Sequence, residues 1–283
     1  MNKPNFLSNY HGHCHLDDGK GKIEEIVQFA IDKGFDALGF SCHTPNSLDD
    51  SWHMKKSDFD YYIDEIDKLK DKYKRQIELY KALELDYIET TGELAGYEYK
   101  KRLDYVIGAV HYIYHPLSGT YYTIDGPIDE FKLLLKDNYN NDIKKFVDHH
   151  FTLQEKMISN YEIDFIAHID LIEKYNKHSI YYKPSEAWYL KRATSFLEKI
   201  KEHNVRVEIN TGAMARGHTD TFYPSNELLK IIKEMEISLV VNSDSHAKEN
   251  LDHSFDFVYE QLKTLGFKEV DVLTNNRWSQ IEL

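Results

Sequence analysis

Residues 9–20 read NYHGHCHLDDGK. His11, His13 and His15 alternate with other residues, and Asp17 and Asp18 come close behind. Side chains along an extended strand have a period of two, so the three imidazoles would share one face. Such a row is either surface decoration or the start of a metal site. The rest of the chain decides between them.

Short β-rich runs alternate with longer amphipathic runs along the chain. The strand candidates are 6–11, 36–42, 79–85, 104–110, 163–167, 205–210 and 237–242. Between them, Ile23, Ile26, Val27 and Ala30 form a helical stripe that Gly34 is placed to stop. Ser57 is placed to cap a helix carrying Tyr62, Ile66 and Leu69, with Asp60 in its first turn. Pro184-Ser185-Glu186 and Ser225-Asn226-Glu227 open two more. Strands alternating with helices predict a parallel sheet. Seven such units favour an α/β barrel over an open sheet, and the absence of any Pro/Gly/Ser-rich linker predicts one domain over residues 1–283.

The informative residues lie at the C-terminal end of each strand. The first strand runs into His11, His13 and His15, and the second into His43. The third carries Glu84 near its end. The fourth runs into His111 and the fifth into His168. The sixth leads to Asn210 and then Arg216, and the seventh into Asp244 and His246. In a βα barrel the C-terminal strand ends surround one mouth, where active sites sit. Five of seven strands delivering a histidine to that mouth points to a shared site. The remaining histidines, 53, 115, 149, 150, 178, 203, 218 and 253, break the pattern and read as surface or core residues.

Composition narrows the chemistry. The net charge is −13, from 35 basic and 48 acidic residues, which argues against extended nucleic acid as a substrate. A small phosphorylated substrate remains compatible, because a bound metal reverses the local field. No stretch has the apolar length of a signal peptide or a bilayer span. Cys14 and Cys42 are the only cysteines. Two are too few for a disulfide framework, which predicts a reducing cytoplasm. Phosphate-binding glycine loops and a GxSxG elbow are absent.

Histidine with Glu and Asp is a ligand set for Zn²⁺, Fe²⁺ or Mn²⁺, and without paired Cys ligands a structural zinc site is disfavoured. There are too many candidate ligands for one ion. Two or three divalent ions fit better, with Glu84 a natural bridge. Such clusters make hydroxide available near neutral pH and clamp the oxygens of an in-line displacement at phosphorus.

The ordered segments HGH (11–13), SCHTP (41–45), ALELDY (82–87), IGAVHY (107–112), FIAHIDL (165–171), VEINTGAMAR (207–216) and VNSDSH (241–246) resemble the successive motifs of the PHP (polymerase and histidinol phosphatase) family, in particular its stand-alone histidinol-phosphatases. The resemblance spans about residues 9–247. It implies a distorted (β/α)7 barrel with a trinuclear metal site at the strand ends. The implied reaction is hydrolysis of L-histidinol phosphate to L-histidinol and phosphate, a step of histidine biosynthesis.

By the same resemblance, His11, His13, Glu84 and Asp244 would bind a first metal, Glu84, His111 and His168 a second, and Asp18, His43 and His246 a third. Asp18 has the family spacing from His11, while Asp17 and His15 are alternatives for that ninth position. Arg216 stands where relatives carry a basic residue that can hold phosphate, and its planar fork suits that task. His246 or Asp244, or a water beside them, would protonate the leaving alkoxide.

The tyrosine-rich segment 112–131, with Asp125 and Asp129, is a candidate lid or specificity loop over the substrate's ammonium and imidazole. The alternative function is a PHP phosphoesterase acting on another small phosphorylated metabolite or a nucleotide. An amidohydrolase, which also begins with HxH, would need a lysine at the end of a middle strand, where Glu84 stands instead. A monomer is the default assembly, with no nucleic-acid or membrane partner.

Overall fold

The alternation of patterns becomes alternating strands and helices in the computed structural model, which describes residues 6–46, 48 and 51–283. In chain order the elements are β1 (Ser8–Asn9), α1 (Ile23–Lys33), β2 (Ala37–Phe40), α2 (Phe59–Tyr73), β3 (Glu78–Lys81), β4 (Glu84–Ile88), β5 (Glu93–Leu94), β6 (Ile107–Ala109), β7 (Tyr112–His115) and β8 (Thr120–Thr123). Next come α3 (Ile128–Asp137), α4 (Ile143–Asn160), β9 (Phe165–Ile166), α5 (Ala187–Glu202), β10 (Arg206–Asn210), α6 (Gly212–Ala215), α7 (Asn226–Met235), β11 (Leu239–Asn242), α8 (Phe255–Thr264), β12 (Glu269–Thr274) and β13 (Arg277–Glu282).

The fold is α/β with parallel sheets. One sheet has the order β1-β2-β3, and a second the order β11-β10-β9-β6-β4-β5, in which only the edge strand β5 runs antiparallel. Isolated parallel bridges join the two sheets at both margins, His43 to Glu84 and Gly12 to Ser245. The expected third strand, 79–85, is broken. Its first half pairs with β2 and its second with β6, and Ala82 N–H and Glu84 N–H still donate to Phe40 and Cys42 carbonyls at 2.8 and 3.2 Å. The break lets one run of chain serve both sheets and puts Glu84 at their junction.

Helix α1 buries the expected stripe of Ile23, Ile26, Val27 and Ala30. It ends at Gly34, whose φ of 82° is left-handed and whose N–H reaches the Ala30 and Ile31 carbonyls. Ser57 does not cap α2. It lies inside a 3₁₀ turn at Lys56–Asp58, and its hydroxyl donates to Asp58 instead. Ser225 does precede α7, but its side chain makes no cap bond, and its N–H donates to buried Asp170 at 2.8 Å.

Two buried clusters arise from strand alternation. The larger packs helix stripes against outward strand residues such as Leu38, Phe40 and Ile166. The smaller gathers the other face: Tyr10, Ala37, Tyr80, Tyr105, Ile107, Phe165 and Val240. The antiparallel hairpin β12–β13 packs Val272, Leu273 and Trp278 onto that second cluster. Tyr10 fastens it, donating to the Leu273 carbonyl at 2.8 Å and accepting from the Leu273 N–H at 2.9 Å. Among the described residues no helix is long and apolar enough to cross a membrane.

Candidate metal centre

The residues just past the parallel strands converge on Glu84. Its Oε2 lies 3.2 Å from His11 Nε2, 3.0 Å from His43 Nδ1 and 3.9 Å from His13 Nε2. Its Oε1 lies 3.0 Å from His168 Nε2 and 3.5 Å from His111 Nε2. Asp244 Oδ1 adds contacts to His13 Nε2 at 3.2 Å, His246 Nδ1 at 3.5 Å and His11 Nε2 at 3.7 Å. Asp18 Oδ1 stands 3.3 Å from His246 Nε2 and 3.8 Å from His43 Nε2. All nine expected residues therefore meet in one place.

Asp17 and His15 play other parts. The Asp17 carboxylate accepts from His13 Nδ1 at 2.7 Å and from the N–H groups of Cys14, Gly19 and His43 at 3.0 to 3.2 Å, so its oxygens are engaged. His15 is exposed and belongs to no ligand-forming group among the described residues, whereas Asp18 groups with His13, His43 and His246.

Three more carboxylates hold the imidazoles from behind. His11 Nδ1 bonds Glu208, His13 Nδ1 bonds Asp17 and His111 Nδ1 bonds Asp86, each at 2.7 Å. A carboxylate only accepts, so each Nδ1 carries a proton and each Nε2 is turned toward the centre. Glu208 also accepts from His168 N–H and from the Asn210 and Asn242 amides. The strand-end pattern does not pick out Glu208 or Asp86. Their signal is a charged residue inside an apolar strand run, VEIN (207–210) and ELDY (84–87). His53, expected to be a plain surface or core residue, reaches Asp86 Oδ2 at 3.6 Å.

The electrostatics call for cations. Among the described residues, His11 Nε2, His13 Nε2, His43 Nδ1 and Glu84 Oε2 are buried without a hydrogen-bond partner. Lone pairs facing carboxylate oxygens at 3.0 to 3.2 Å repel unless a proton or a cation stands between them. Burial alone would lower His13 and His111. The charges of Asp17 on one, and of Asp86 and Glu84 on the other, outweigh it and push both up to about 10. Burial would likewise raise Glu84, yet His11, His43 and His111 hold it well below the ordinary carboxylate range. Divalent ions answer all of these contacts at once. The triads His11/His13/Glu84 and His43/Glu84/His111, and the set His13/Asp18/His43/His246, each bring their ligand atoms within 4.8 Å of one another. The donors are imidazole and carboxylate, the set that suits zinc, iron or manganese.

The backbone is strained where it serves this cluster. His168 and Asp244 adopt φ of 27° and 46°, left-handed values that cost on the order of 1–3 kcal/mol for residues other than glycine. Arg216 leaves the short α6 and grips Asp244, with Nη2 on Oδ2 at 3.1 Å and Nη1 on the carbonyl at 3.0 Å. Gly212 makes room for this pair: a Cβ there would lie 2.8 Å from Asp244 Oδ2 and 3.0 Å from Arg216 Nη2. A cavity of about 520 Å³ opens onto the cluster, lined also by Trp52, Tyr121, Asp125, Lys174, Arg216 and His218. His218 is thus a second histidine that stands at the site although it breaks the strand-end pattern.

Strand-end histidines and acids around a shared carboxylate, on an α/β fold with parallel sheets, form clusters that could hold metal ions. The model of the PHP domain family matches residues 9–212, and the chain belongs to that family. A Schizosaccharomyces pombe protein named "Probable histidinol-phosphatase" is 27% identical over 266 residues, spanning 87% of this chain and 82% of its own. The Bacillus subtilis histidinol-phosphatase is 24% identical over 270 residues, spanning 88% and 98%. The fold resembles that of the Lactococcus lactis histidinol phosphate phosphatase solved with zinc, L-histidinol and phosphate. There the TM-score is 0.71 at 19% identity, covering 96% of this chain and 98% of that one.

Proposed function

We propose that this chain is a metal-dependent phosphomonoesterase that hydrolyses L-histidinol phosphate to L-histidinol and phosphate, the dephosphorylation step of histidine biosynthesis. The observation that carries the reading is the gathering of nine metal-capable side chains, centred on the Glu84 carboxylate, with four of their buried atoms left without hydrogen-bond partners among the described residues. The names of the relatives supply the substrate. We place the reaction in a single cytoplasmic catalytic domain acting as a monomer on a small molecule. The eight parallel strand segments, β3 and β4 counted together as the one broken third strand, make a distorted (β/α)7 barrel, a reading supported by the two bridges that join the sheets.

His11, His13, Glu84 and Asp244 would hold one ion, Glu84, His111 and His168 a second, and Asp18, His43 and His246 a third. Zinc, iron and manganese all suit these donors. Bound ions supply acidified water near neutral pH and neutralise charge on the phosphoryl group. Glu208, Asp17 and Asp86 fix the rings that hold them, as carboxylates behind metal-binding imidazoles commonly do. Arg216 offers its guanidinium to the phosphoryl oxygens. His246 and Asp244 stand at the cavity, where either could hand a proton to the leaving alkoxide.

The test is phosphate release from L-histidinol phosphate, with chelator and then with re-added Mn²⁺, Fe²⁺ or Zn²⁺, against a panel of other phosphomonoesters. Metal-restored preference for L-histidinol phosphate supports the reading. Metal-restored turnover of other esters only would overturn the substrate.

A further inference from the structure

Two carboxylates outside the nine-residue cluster line the cavity, Asp125 and Glu130. Glu130 is occupied, since its Oε2 accepts from the Thr123 N–H at 2.8 Å and the Thr123 hydroxyl at 2.7 Å. The Asp125 carboxylate accepts no hydrogen bond among the described residues. Its one ion pair there is a long one, Lys174 Nζ at 3.8 Å from Oδ2. The backbone beneath it is pinned all the same. Lys174 donates to the Asp125 carbonyl, and Tyr175 donates to the Asp125 carbonyl at 3.4 Å and to the Gly126 carbonyl. A fixed backbone with an unsaturated carboxylate, lining one cavity with His111, His168, Lys174 and Arg216, is a prepared counter-charge beside the candidate metal cluster. Asp129, four residues on, is exposed in the first turn of α3 and does not line this cavity.

We infer that Asp125 is the specificity residue that takes the substrate's ammonium group. The inference rests on the functional reading above. In L-histidinol phosphate the ammonium-bearing carbon is bonded directly to the carbon that bears the phosphate ester. The ammonium partner must therefore sit next to the phosphate site and cannot lie at the far rim. Asp125 lines the same cavity as Arg216, Glu84, His111 and His168, the residues proposed to meet the phosphoryl group. The interaction is charge-assisted, and Lys174 stays as the carboxylate's second neighbour. The hairpin β7–β8 leads directly into Asp125, so the tyrosine-rich segment contributes to specificity through its end, while its tip at Leu117 is solvent-exposed.

The experiment compares wild type, Asp125→Asn and Asp125→Glu, each loaded with Mn²⁺. The substrates are L-histidinol phosphate and its des-amino analogue, 3-(imidazol-4-yl)propyl phosphate. Asp125→Asn should lose about 10- to 100-fold more kcat/KM on the aminated ester than on the des-amino one, carried mainly by KM. Asp125→Glu should recover part of that selectivity. Equal losses on both esters would overturn the assignment and leave Asp125 as a counter-ion for Lys174. A wild type that releases no phosphate from L-histidinol phosphate would overturn the functional reading itself, and this assignment with it.

Discussion

Glu208 accepts the Nδ1 proton of His11 at 2.7 Å, and neither side chain is exposed to solvent. The bond fixes the tautomer and aims Nε2 at Glu84. Since Glu208 also takes the His168 N–H, one carboxylate aligns candidate ligands from two different strands. Glu208→Gln should therefore lower metal content and kcat/KM about 10- to 100-fold together. Elemental analysis beside phosphate-release kinetics checks this; full metal content with full activity would contradict it.

Asp244 is both a member of the ligand cluster and the anchor of Arg216. For Asp244→Asn we expect loss of bound metal and of activity in parallel. Retained metal with lost activity would assign Asp244 to proton transfer instead.

Gly212→Ala tests the packing of that pair. The added methyl would fall 2.8 Å from Asp244 Oδ2. Alanine suits a short helix better than glycine does, so local propensity does not oppose the change. Activity should drop at least about tenfold through misplacement of Asp244 and Arg216, while thermal melting moves little.

Tyr10→Phe tests how the terminal hairpin is fastened. The phenol is both donor to and acceptor from Leu273, deep in the second cluster. Its loss should cost about 1–3 kcal/mol in urea unfolding, because the Leu273 N–H and C=O are left buried and unpaired.

Glu173 supplies a pH dependence away from the candidate metal ligands. Burial, with Asp170 beside it, pushes this carboxyl from 4.5 up to about 7. The folded chain therefore holds a proton that the unfolded chain releases, and stability falls as pH rises through that interval. Glu173→Gln should flatten the fall, gaining about 1–3 kcal/mol at pH 8 relative to pH 5. Urea midpoints at the two pH values measure it, and parallel curves for both proteins would refute it.

Much of the site is legible in the sequence because its signal is local. A histidine or acid directly after an apolar run needs only the strand period and a shared direction to be recognised, and His43, His111, His168 and His246 stand out in that way. Asp17 and Asp18 show the limit. They are neighbours with the same chemistry, and only the fold turns Asp17 back onto His13 and three backbone N–H groups while Asp18 faces His246. The contacts of Glu208, Asp86 and His53 are not legible, because they depend on partners 25 to 197 residues away, and the sequence offers Asp125 and Asp129 together without showing that only Asp125 lines the cavity.

The sequence by itself determined the alternation of strands and helices, the parallel pairing and the delivery of metal-capable residues to one end of the strands. These come from side-chain periodicity and from the rule that consecutive parallel strands point the same way. Only the tertiary structure decided the break between Lys81 and Glu84, the left-handed backbone at His168 and Asp244, and the turning of Asp17 onto His13 while its neighbour Asp18 faces His246. Those depend on which buried lone pairs end up facing each other. That is a balance of desolvation and hydrogen bonding that no local stretch of chain contains.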